Sequence, residues 1–112
     1  MKIAIPTTAG RLSSHFGHCE QFRVFDVDAD SKTIAAQRSL QPPHHEPGVY
    51  PRWLHEHGVT CVIAGGMGSR AQNLFHEIGI AVIVGAASEA PESIVQAYLS
   101  GTLASGVNDC DH

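Results

Sequence analysis

Val59-Thr60-Cys61-Val62-Ile63-Ala64-Gly65-Gly66-Met67-Gly68 is the stretch whose reading decides the fold. Its first six residues are apolar but for Thr60, the pattern of a strand covered on both faces, as in parallel sheets. The glycines turn the chain out of that strand and into a helix. Ala71, Leu74, Phe75 and Ile78 then recur at i, i+3, i+4 and i+7, one apolar helix face. Gly79 ends the helix, and Ile80 to Val84 reads as another buried strand. Strand, helix, strand in that order is a right-handed crossover between parallel strands.

Upstream, Lys2-Ile3-Ala4-Ile5-Pro6 reads as a buried first strand stopped by proline, followed by a polar loop from Thr7 to Ser14. Phe22 to Val27, rich in aromatic and β-branched residues, is a second strand. The turn cluster Asp28-Ala29-Asp30-Ser31 joins it to a weaker third strand, Thr33 to Ser39, in a hairpin. Three prolines exclude regular structure from Gln41 to Gly48. Pro51 suits the first turn of a helix carrying Tyr50, Leu54 and His57 at i, i+4, i+7, with Gly58 as its stop. Downstream, Ser88 is the expected cap of a last helix, with Glu89 and Glu92 near its positive end. Ile94, Val95, Tyr98 and Leu99 face the core there, and Gly101 stops it. The expected order is βββαβαβα. This is an α/β fold, a mixed five-stranded sheet with helices on its faces. Residues 1–101 form the domain and 102–112 a tail.

The 112 residues suit one domain. With 43% hydrophobic and 16% charged residues the chain is globular rather than disordered. A formal charge of −4 and the lack of any Lys/Arg run argue against nucleic-acid binding. No apolar segment approaches the ~18 residues of a membrane span, and the N-terminus lacks signal-peptide features. The expected compartment is the cytoplasm, where the three cysteines are thiols.

Chemistry concentrates in three places. His15-Phe16-Gly17-His18-Cys19 sets two imidazoles and a thiol around a glycine that permits a sharp turn. His15 with His18, or His18 with Cys19, could share a transition metal. A lone His-x-x-His is weakly specific, and two solvated histidines beside a buried cysteine would look the same. The ending Cys110-Asp111-His112 supplies a soft ligand, a carboxylate and an imidazole, none of which packs a core. His44-His45-Glu46 lies between Pro42-Pro43 and Pro47, in a stiffened loop that suits pre-organised ligands or a plain connector. The turn Gly65-Gly66-Met67-Gly68, with Arg70 after it, exposes backbone N–H groups that could face an anionic cluster. Tight strand-to-helix packing explains those glycines about as well, and Met67 reads as core filling. Cys61 reads as a buried, inert thiol, and His55, His57 and His76 as solvated. No Ser/His/Asp order or carboxylate pair suggests catalysis.

These residues resemble the dinitrogenase iron–molybdenum cofactor biosynthesis family. The resemblance rests on Lys2-Ile3-Ala4-Ile5-Pro6, His15-Phe16-Gly17, Phe22 to Val27, and Val62 to Gly68 with Arg70-Ala71, and covers essentially the whole chain. It implies a ribonuclease-H-like three-layer fold without nuclease activity, and binding of an iron–sulfur or molybdenum–iron–sulfur species with His15 as leading ligand. His45-Glu46-Pro47-Gly48 and the Cys-Asp-His ending look like a subset of stand-alone members.

The reading that follows is a non-catalytic carrier for such a cluster. His15, His18, Cys19, Cys110 and His112 are the candidate ligands, His45 and Glu46 ligands or supports, and Gly65, Gly66, Met67, Gly68 and Arg70 the cofactor-facing turn. Partners would be the cluster and the proteins that donate or accept it, and a homodimer could complete the ligand set. The alternative is a mononuclear zinc protein, since zinc takes four Cys/His ligands. An enzyme holding a phosphorylated molecule at the glycine turn ranks last.

Overall fold

The computed structural model describes residues 1–13, 19–28, 30–43, 49–86 and 89–103. They form β1 (Lys2–Thr8), β2 (Arg11–Leu12), β3 (Gln21–Asp28), β4 (Thr33–Leu40), α1 (Val49–Glu56), β5 (Cys61–Ile63), α2 (Ser69–Glu77), β6 (Ala81–Ile83) and α3 (Pro91–Leu99). The sheet has six strands, in the order β4-β3-β1-β5-β6 with β2 paired to β1. β1, β5 and β6 are parallel, while β3 runs antiparallel to β1 and β4 antiparallel to β3.

The expected five strands are therefore six, and the order is ββββαβαβα. The added strand is β2, inside the stretch read as a loop. Thr7 pairs with Leu12 and Thr8 with Arg11 across Ala9 and Gly10. Both turn residues have positive φ, +54° and +79°, as a two-residue hairpin twisted like its strands requires. Ala-Gly is a weak signal for such a turn, and the polar composition of Thr7 to Ser14 points to a loop instead.

Alternation sorts the side chains into two cores. Ala4, Phe22, Val24, Val62 and Ala64 face one side and pack with Tyr50, Leu54, Met67 and Phe75 from α1, α2 and the turn before α2. Ile3, Ile5, Phe25, Val27, Cys61 and Ile63 face the other and pack with Ile94 and Val95 of α3. The result is three layers, with α1 and α2 on one face of the sheet and α3 on the other. Arg23 ties α3 to the hairpin, its guanidinium donating to Glu92 at 3.1 Å and Gln37 at 2.7 Å.

Several local expectations change. β6 is an edge strand whose residues are half-buried or exposed, because nothing pairs beyond it among the described residues. Ile78 is the C-cap of α2 and is exposed rather than core-facing. The N-cap of α3 is Ala90, with Pro91 in the first turn; Ser88 lies outside the described residues. His57 is half-buried beyond α1, with Nδ1 2.9 Å from the Trp53 carbonyl and its ring against the Trp53 ring. The Asp28 side chain accepts the N–H groups of Asp30 and Ser31, which accounts for the turn and holds its carboxyl below the usual range.

Candidate metal centre

The topology gathers several loop bases at one end of the sheet. β1, β5 and β6 all point their C-terminal ends there, and ligand sites of α/β sheets form at such ends. β3 begins at this end, since Gln21 pairs with Thr7, and β4 finishes there, since Leu40 pairs with Phe22. Of the expected metal ligands, Cys19 is described; His15, His18, His45, Glu46, Cys110 and His112 lie outside the described residues.

The segment bearing His15 and His18 is bracketed by two backbone anchors on β1. Ser13 donates its N–H to the Pro6 carbonyl and Glu20 donates to Thr7, both at 2.8 Å. The Glu20 carboxylate also accepts the Ala9 N–H at 2.8 Å. Cys19 follows this segment, half-buried against the α1–α2 core. Burial pushes its thiol up to about 11, partly offset by a hydrogen bond from its own backbone N–H.

Cys19 opens into a cleft of about 680 Å³ lined also by Glu20, Gln21, Gln41, Pro42, Pro43 and Tyr50. Pro43 is the last described residue before the His44–Gly48 segment. Pro43 and Val49, on either side of that segment, line a smaller adjoining groove with Arg52, Trp53 and Glu56. Both histidine-bearing segments thus have a base at this cleft. Glu20 is the one formally charged side chain in its described lining.

The glycine turn follows β5, next to β1, at the same end. Gly65, Gly66 and Met67 are buried and Gly68 is half-buried, while Arg70 is exposed. The Gly65 carbonyl accepts the Gly85 N–H at 2.9 Å and the Ala64 carbonyl accepts Ala86 at 3.3 Å, so this turn packs on the one that follows β6. Met67 is 1% exposed, within the core.

The tail begins elsewhere. α3 runs away from the cleft end, and its Tyr98 hydroxyl donates to the sulfur of Cys61, which pairs with Ile3 near the start of β1. Leu103 packs on the α3 side of the sheet, whereas Cys19 packs on the other. Cys110 lies seven positions beyond Leu103 in the sequence.

Among the described residues no group of three His, Cys, Asp or Glu side chains could hold a metal ion. Cys61 is 3% exposed and its thiol, pushed up to about 11 by burial, is a core residue. Tyr50, Gln41 and Gln21 were not visible as lining residues from the sequence. Tyr50 occupies a helix-face position indistinguishable from core, and the glutamines carry no spacing signal.

Related proteins share this architecture. An uncharacterized protein, MJ0580 of Methanocaldococcus jannaschii, is 29% identical over 106 residues, covering 92% of this chain and 89% of that protein. The crystal structure of PH0822 superposes with a TM-score of 0.85 at 27% identity, over 93% of each chain. The apo form of the orange protein from Desulfovibrio gigas shares the fold with a TM-score of 0.75 at 21% identity, over 96% of this chain and 93% of that one. Residues 1–101 match the family described as dinitrogenase iron-molybdenum cofactor, so a single family signature runs through both histidine-bearing segments, the cleft and the glycine turn, and this chain belongs to that family.

Proposed function

We propose that this chain is a non-catalytic carrier whose cargo is an iron–sulfur or molybdenum–iron–sulfur cluster, bound at the cleft end of the sheet. The observation that carries the reading is the convergence of the Cys19 cleft with the bases of both histidine-bearing segments. Thiolate and imidazole suit iron and its clusters. His15, His18 and Cys19 are the ligands, with His45 and Glu46 beside them. Cys110 and His112, in the tail of residues 102–112, complete the set. Two candidate cysteine ligands per chain, Cys19 and Cys110, fall short of a four-thiolate site, so imidazole ligands or a homodimer make up the number. Arg70 and the Gly65–Gly68 turn lie at the same end and would face an anionic cargo. Cluster-donating and cluster-accepting proteins are the partners, and a reducing cytoplasm the compartment.

The strand order, with an antiparallel hairpin added to parallel strands, supports a ribonuclease-H-like assignment of the fold. No helix among the described residues is long and apolar enough to cross a membrane.

One observation favours a mononuclear zinc site as the second reading. The described cleft wall carries a carboxylate and no Lys or Arg, which attracts a bare cation. Anaerobic reconstitution with iron and sulfide, followed by metal and sulfide analysis, tests both. A brown protein with stoichiometric iron and sulfide is expected. A colourless protein with one zinc establishes the second reading. Full binding by both His15→Ala and a truncation before Cys110 would sink the proposed ligand set.

A further inference from the structure

The two edges of the sheet are built differently. β4 carries a bulge at Ala35 and an exposed Arg38, with exposed Lys32 just before it. Bulges and charges keep an edge strand from pairing with another chain. β6, at the other edge, has neither. It pairs with β5 without a register shift, and no formally charged residue occurs from Ile78 to Ser88. The Ala81 N–H donates to the Thr60 carbonyl at 3.0 Å, and the Ile83 carbonyl accepts the Ala64 N–H at 2.8 Å. Both residues therefore bond towards β5, and strand geometry turns the backbone groups of Val82, between them, towards the open edge. Val82 is half-buried on the α1–α2 face. Ile83 is half-buried on the α3 face, where alternation also sets the exposed Ala81.

We infer that β6 pairs antiparallel with β6 of a second copy, about a two-fold axis at Val82, so that the two sheets become one. The two Val82 residues exchange N–H to carbonyl hydrogen bonds across the axis. In this register Ala81 lies opposite the partner's Ile83 and Ile83 opposite the partner's Ala81, small against large, twice. A two-fold axis also brings side chains near their own copies, where like charges repel. An uncharged edge escapes that repulsion, and this self-matching points to a second copy rather than to a foreign strand. β3, whose Gln21 lines the Cys19 cleft, stands three strand spacings from β6, ~14 Å. Each copy therefore keeps its own cleft, and the inference is independent of what that cleft holds.

Sedimentation equilibrium and residue-resolved hydrogen exchange on the full-length protein, without added metal, test it. A dimer in the micromolar range is expected, with slow exchange at the Val82 amide. Ala81→Lys, at an exposed position, sets a cation diagonally across from its own copy. It should weaken association about tenfold or more and speed exchange at Val82, with circular dichroism unchanged. Ala36→Lys, exposed on β4, should leave the dimer intact. A monomer throughout the micromolar range overturns the inference. If its Val82 amide is nevertheless slow to exchange, a segment of the same chain covers the edge instead. A dimer with a freely exchanging Val82 amide also overturns it, as does one broken by Ala36→Lys and spared by Ala81→Lys. Should Ala81→Lys not fold, the mass of the unaltered protein and its Val82 exchange decide by themselves.

Discussion

The Glu20 carboxylate accepts the backbone N–H of Ala9 at 2.8 Å, joining the tip of the β1–β2 hairpin to the base of the segment that carries His15 and His18. Ala9 sits at φ +54°, a left-handed conformation that costs a non-glycine residue about 1–2 kcal/mol. Ala9→Asn supplies the Asn-Gly pair this turn prefers and is expected to raise stability by about 0.5–1 kcal/mol. Glu20→Ala removes an exposed hydrogen bond and is expected to cost about 0.5–1.5 kcal/mol. Urea unfolding of both variants checks the pair; the same sign for both would refute this account of the hairpin.

Ile34 and Leu40 lie an even number of residues apart on β4, yet they pack on opposite faces of the sheet. A register shift explains it: Asp26 pairs with Ala36 and the next residue, Val27, pairs with Ile34, leaving Ala35 as an extra residue in β4. Deleting Ala35 should restore regular alternation while leaving Ile34 opposite Val27 in the α3-side core. The expected change is within about 0.5–1 kcal/mol, and thermal unfolding measures it; a loss of about 1–3 kcal/mol, the scale of one aliphatic side chain leaving the core, would contradict this account of the bulge.

Leu54 and Ile78 separate core from periodicity. Leu54 is fully buried between α1 and the sheet, so Leu54→Ala should cost about 2–5 kcal/mol. Ile78 completes the apolar spacing of α2 but is 37% exposed at the helix end. Ile78→Ser should stay within about 0.5–1 kcal/mol, as surface changes do. Equal losses in denaturant titrations would contradict the packing described.

Cys61 sets an alkaline limit on stability. Burial raises its thiol from 9.0 to about 11, with the Tyr98 hydroxyl pulling it partly back. The unfolded chain therefore loses this proton at lower pH than the folded one. The contribution is fully present below pH 9 and disappears as pH rises towards 11. Cys19, shifted in the same direction, adds to the loss. Unfolding free energy should fall through that window, and Cys61→Ala should flatten the slope. A thiol reagent at neutral pH should leave Cys61 unlabelled in the native protein.

Much of the fold is legible in the sequence because local pattern and burial agree. The run before Gly65 is a central strand, Phe22 to Val27 alternates between two cores, and helices occupy the expected stretches. Disagreement appears where pairing overrides composition. β2 exists because its two residues complete the hydrogen bonds of β1 across a tight turn. Ala35 bulges because β4 is an edge strand paired on one side.

The candidate site divides the same way. Residue chemistry and a family signature single out His15, Cys19 and the glycine turn without coordinates. That Cys19 shares a wall with Tyr50 and Pro43 depends on strand order, which sets residues 24 and 31 positions away in sequence around one opening. That the tail starts on the opposite face and at the far end depends on the direction of α3. Sequence by itself determines which side chains can bind a metal and which segments repeat with helical or strand period. Tertiary structure decides which of them share an end of the sheet, because sheet topology is settled by long-range pairing and layer packing, which no local period encodes.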